Sequence, residues 1–94
     1  METKMLGKYG RMRRTYLQEH KPIEFQTMVI ENTLENHLQE VDQLANQRLD
    51  FLMDQLLEKQ QPPSRESNQM EWVKHMNTLK AQAEEVIKTE LIYN

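Results

Sequence analysis

The sequence predicts an all-α protein, a small helical bundle in which a long antiparallel helical hairpin (about 35–60 and 66–92) packs with two shorter N-terminal helices. Three observations lead there. Only two glycines and three prolines occur in 94 residues, and 29% of the residues are charged, a balance that favours helix over turn-rich sheet. Apolar residues recur at three- and four-residue steps through two separate stretches. Between those stretches lies a double proline, which stops one helix and allows the chain to reverse. A chain of this length can fill one modest core, so residues 1–94 are read as a single helical domain.

The first helix is expected from about Leu6 to Glu19, ended by His20-Lys21-Pro22, with Pro22 opening a second short helix from Ile23 to about Asn32. At 100° per residue Tyr9, Met12 and Tyr16 share one face of the first helix and read as core contacts, while Lys8, Arg11 and Arg14 share the opposite face. Arg13 points close to the aromatic side. Its stem is expected on the core edge and its guanidinium on an acid such as Asp50 or Asp54. The second helix carries Phe25, Met28 and Val29 on one side and Ile23 and Ile30 on nearly the opposite side. It is expected to wedge between the first helix and the hairpin, a dimer surface being the other reading.

Asn32 and Thr33 mark the expected break before the long helix, although one bent helix from Pro22 to Gln60 would satisfy the same local propensities. Leu34, Leu38, Val41, Ala45, Leu49, Leu52 and Leu56 then form a helical stripe, with Glu40, Asp42, Asp50 and Asp54 among the residues of an acidic outer surface. The segment "QQPPSR" ends it. The last helix should start between Ser64 and Asn68, and Asn68 with Glu71 three residues on resembles a capping pair. Trp72, Met76, Leu79, Ala83 and Val86 supply its stripe, widened by Val73, Ile87 and Leu91.

Several function classes find no support. The chain has no cysteine, so disulfides, zinc fingers and thiol nucleophiles are excluded and the reducing cytoplasm is the expected compartment. No run approaches the ~18–20 apolar residues of a membrane span. His20, His37 and His75 lie far apart, and Glu71 with His75, four residues on, reads as a surface pair and not a metal site. Gly7 and Gly10 form no phosphate-binding loop, and Ser64 and Ser67 read as helix caps. No enzyme and no cofactor is expected.

Charge is distributed unevenly. Residues 1–21 hold six bases and two acids for a net +4, residues 22–60 hold eight acids and two bases for −6, and residues 61–94 hold five acids and four bases for −1. The outward bases Lys8, Arg11 and Arg14, extended by Lys4 and Lys21, are therefore the candidate nucleic-acid residues. About three to five phosphate contacts would support weak nonspecific binding but no sequence selection. A helix-turn-helix is disfavoured, because "PIEFQTMVIEN" brings Glu24 and Glu31 and no base to the position of a recognition helix.

Three segments, "GKYGRMRRTYLQEHKP", "LDFLMDQLL" and the pair "QMEWVKHMN" with "AEEVIKTELIYN", resemble the transposon-encoded protein TnpV family. The resemblance spans Gly7 to Asn94; family members often carry an acidic, proline-containing stretch before "GKYGRMR", and no such stretch is expected in this chain. It implies a place in a transposon and brings no catalytic or binding residues with it. Two readings follow. One is a non-enzymatic accessory protein that assists excision or transposition through weak DNA phosphate contacts. The other is a helical interaction module, a homodimer or an adaptor for another mobile-element protein, that binds no DNA.

Overall fold

The computed structural model describes residues 6–94. Helices run Lys8–His20 (α1), Pro22–Glu31 (α2), Leu34–Lys59 (α3) and Gln69–Ile87 (α4), and α4 continues into a π-helical turn, Lys88–Ile92. No strand occurs among the described residues. The protein is an all-α bundle built on a long hairpin.

Local chemistry sets each boundary. Pro22 begins α2, where its missing N–H costs nothing. Asn32 ends it in the left-handed conformation (φ 60°, ψ 36°), with its own N–H on the Val29 carbonyl and the Thr33 N–H on the Met28 carbonyl. Those two bonds make a Schellman cap, which separates α2 from α3 where a continuous bent helix was the alternative. α3 has 26 residues, about 39 Å. It ends before Pro62-Pro63, and the Asn68 side chain caps α4 by accepting from the Glu71 N–H at 3.4 Å.

α3 and α4 are antiparallel. His75 Nε2 donates to the Gln60 carbonyl at 2.7 Å near the turn, and Arg48 pairs with Glu90 at 3.1 Å near the other end. α1 lies against the half of the hairpin far from the turn. Gly10 and Arg13 reach Asp42 and His37 on α3, while Lys8 and Arg13 reach Glu84 and Ile92 on the other arm. The core, Tyr9, Leu17, Leu38, Val41, Ala45, Leu79, Ala83, Ile87 and Ile92, sits largely in this three-helix portion. The molecule extends 55 × 29 × 19 Å along its principal axes, and its radius of gyration of 16.7 Å exceeds the ~12 Å of a compact chain this long.

Three expectations are corrected. α1 buries Tyr9, Gly10, Arg13 and Leu17 and packs the half-buried Met12 against the core, whereas Tyr16 is only half-buried and stands outside it, so the core face is rotated away from the Tyr16 side. On α4, Ile87 and not Val86 is buried, and Trp72 and Met76 are half-exposed because only two helices meet near the turn. α2 is no wedge. None of its residues is buried, and Ile23 and Ile30 are each 82% exposed.

Gly10 explains the rotation of α1. A Cβ there would lie 3.1 Å from the Leu38 carbonyl and 3.3 Å from Asp42 Cβ, so glycine lets the α1 backbone settle on α3 more closely than a larger residue would. The Gly10 N–H, in the uncapped first turn of α1, donates to Asp42 Oδ1 at 3.0 Å. Asp42 thus serves as the N-terminal cap that Gly7, lacking a side chain, cannot supply. A Cβ on Gly7 would strike the same carboxylate at 2.6 Å. Both glycines of "GKYG" are spaced around one acid of α3.

Candidate nucleic-acid interface

The basic residues of α1 divide by what they touch. Arg13, only 8% exposed, donates through Nη1 to the main-chain oxygens of Ile92 (2.8 Å) and Asn94 (3.1 Å) and to Asn94 Oδ1 (3.1 Å), and through Nε to His37 Nε2 (3.3 Å). The expected partners, Asp50 and Asp54, are not among these contacts; the guanidinium instead ties α1 to the end of the other arm. The π-helical turn makes this possible. Its five-residue step, with the Tyr93 N–H on the Lys88 carbonyl at 2.8 Å, buries Ile92 and directs its carbonyl to Arg13. His37, accepting from Arg13, has its pKa lowered by burial and by the adjacent guanidinium, against a smaller opposing effect of Glu40.

Lys8 is also engaged. Its ammonium meets Glu84 at 2.6 Å, with side chains 56% and 14% exposed respectively, and that hydrogen bond is the main reason the Glu84 pKa lies below the usual carboxylate value. Burial, together with the Glu84 and Asp42 charges, raises the Tyr9 pKa and keeps its phenol neutral. Such a partly exposed pair stabilises by at most about 1 kcal/mol, so Lys8 can exchange Glu84 for another anion at small cost.

Arg11 and Arg14 differ from both. Each is exposed, and neither makes an ion pair or a side-chain hydrogen bond among the described residues. Lys21 is half-buried at the α1–α2 corner and has no ion pair among the described residues either. Lys4 lies outside the described residues. Of these bases, Lys8 and Arg11 line a groove, and Arg14 is exposed outside its lining.

That groove, about 570 Å³, runs along α1 between Lys8 and His20. Lys8, Arg11, Met12, Thr15, Tyr16, Glu19 and His20 come from one side of α1, and Tyr93 closes over them. The Tyr16 ring lies 5.0 Å from His20 and 5.5 Å from Tyr93, centroid to centroid, both tilted, and the Arg13 guanidinium stands 5.6 Å from its centre. Reading Tyr16 as core concealed this groove, and Tyr93 carried no periodic signal because the π-helical turn shifts its register.

Elsewhere the pair Glu71 and His75 is split between other partners: Glu71 meets Lys74 at 3.8 Å and His75 meets the Gln60 carbonyl. No helix among the described residues is long and apolar enough to cross a membrane.

A family model described as transposon-encoded protein TnpV matches residues 1–92. The chain belongs to the TnpV family. Comparison with curated proteins and with solved structures yields no match. In this TnpV chain the "GKYGRMRR" segment thus combines three jobs: glycines that admit Asp42, an arginine that ties down the far arm, and two arginines turned to solvent.

Proposed function

We propose that this TnpV chain is a non-enzymatic, cytoplasmic accessory protein of its transposon that assists excision or transposition through weak, sequence-independent contacts to DNA phosphates. The observation that carries the reading is the contrast within α1: Arg13 and Lys8 are engaged by the fold, while Arg11 and Arg14 are exposed on the same helix and make no ion pair among the described residues. In an acidic chain, two exposed arginines three residues apart form a local positive edge suited to successive phosphates. With Lys21 they supply two or three contacts, for a salt slope of about −2 to −3 in log–log form. Titrating a generic duplex with the protein between low and moderate salt tests this; a slope near zero, or no binding at low salt, removes the reading.

A second reading, a helical contact module, rests on a different observation. Ile23 and Ile30, seven residues apart, stand on the side of α2 away from the half-buried Phe25 and Met28. Two exposed isoleucines on one ridge suit a second copy or another protein of the element. Sedimentation equilibrium decides between them, since a monomer across the micromolar range excludes self-association through this ridge.

A further inference from the structure

Phosphate contacts alone leave the groove beside Arg11 without a purpose. It has the size of a ligand cleft (about 300–1,000 Å³), three aromatic rings in its lining and a cationic end. Tyr93 is 50% exposed, although its neighbour Ile92 is fully buried and anchored through its carbonyl to Arg13. An exposed ring on a fixed backbone is a platform.

We infer that this groove holds an unpaired nucleobase of single-stranded DNA, stacked on the exposed Tyr93 with Tyr16 supporting that ring, and with its phosphate at Arg11 and Lys8. This rests on the proposed DNA role and specifies its substrate. Single-strand sites in general combine a cationic track with aromatic faces, because every base has a π-face. The charges are arranged accordingly along α1. Lys8 and Arg11 occupy one end and Glu19 the other, and the eight helical steps from Arg11 to Glu19 span about 12 Å, which keeps the carboxylate away from the phosphate. Glu19 is an acceptor suited to an exocyclic amino group of cytosine. In a duplex the base faces are already stacked on one another, so the tyrosines discriminate for single strands while Arg11 and Arg14 serve both forms.

The test is fluorescence anisotropy with a labelled single-stranded DNA oligonucleotide, the same sequence as a duplex, and the same sequence as RNA. Native protein, Tyr93→Ala, Tyr93→Phe, Tyr16→Ala and an Arg11→Ala/Arg14→Ala double variant are compared, with circular dichroism to establish folding. The expected result is tighter binding of the single strand, weakened roughly 5- to 150-fold by Tyr93→Ala, retained by Tyr93→Phe, with duplex binding unchanged by both. Tyr93 is the decisive position, since Tyr16 also contacts Arg13 and its loss can disturb the fold. If Tyr93→Ala leaves single-strand binding intact while the double arginine variant abolishes duplex binding, the groove inference is overturned and the phosphate role stands. If native protein binds neither form, both fall. Tighter binding of RNA than of DNA overturns the assignment to DNA.

Discussion

Replacing Asp42 by alanine should unfasten the start of α1. The Asp42 carboxylate accepts the Gly10 N–H at 3.0 Å across the helix interface, in a first turn that has no side-chain cap of its own. Loss of an N-cap costs about 1 kcal/mol, and a partly buried N–H left without a partner adds a cost of about 1 kcal/mol or more. The two overlap, so a total near 2 kcal/mol is expected. Asp42→Asn keeps an acceptor and loses only the attraction of the carboxylate to the helix N-terminus, about 0.5 kcal/mol. With a urea m-value of about 1 kcal/mol/M for a chain this size, the alanine variant shifts the unfolding midpoint by about 2 M and the asparagine variant by about 0.5 M. Asp50→Ala, an exposed acid on the same helix, is the control and should move by less than 0.5 M. An Asp42→Ala midpoint indistinguishable from that control refutes the cap. A companion change, Gly10→Ala, gains about 1 kcal/mol in helix propensity yet places a Cβ 3.1 Å from the Leu38 carbonyl, so a net loss of stability is expected.

Other consequences are open to measurement. Arg13→Met leaves the Ile92 carbonyl and the Asn94 oxygens without their shared donor and should cost about 2–4 kcal/mol in urea unfolding, whereas Arg14→Ala should stay within about 0.5 kcal/mol of native. His37 has a folded pKa below its unfolded value of about 6.5, so the unfolded chain takes up a proton first as the pH falls. Stability is therefore full above pH ~6.5 and is lost as the pH drops through the lowered folded value; the Tm should fall between pH 7.5 and 5.5, and His37→Gln, which keeps an acceptor for Arg13, should flatten that slope. The Glu84 effect has the same sign but acts only below about pH 4.5, outside this window. If α2 mediates self-association, Ile23→Ser/Ile30→Ser yields a monomer by sedimentation with unchanged helicity, since neither side chain is buried.

The hairpin was legible because its signals are local. A stripe at three- and four-residue steps marks α3, a double proline breaks the chain, and Asn68 caps α4 from three residues away. The break at Asn32 was legible as a polar pair, although the left-handed turn that enforces it is a backbone property no hydropathy pattern carries. The packing of α1 was misread for a related reason. A helical wheel scores Gly10 as neutral and Arg13 as polar, yet one is buried because backbone approaches backbone and the other because carbonyls await its guanidinium. Asp42 passed for a solvated acid, since its partner is thirty-two residues distant. The separation of Arg11 and Arg14 from the core was visible in the sequence; the engagement of Lys8 by Glu84 and the groove at Tyr16 were not, because both depend on where the far arm returns.

The division of α1 into bases held by the fold and bases turned outward is tested most directly by duplex binding of an Arg11→Ala/Arg14→Ala variant at low salt. The account predicts a variant that unfolds with the native midpoint and no longer retains DNA that the native protein binds. Native-level retention by the folded double variant would contradict it.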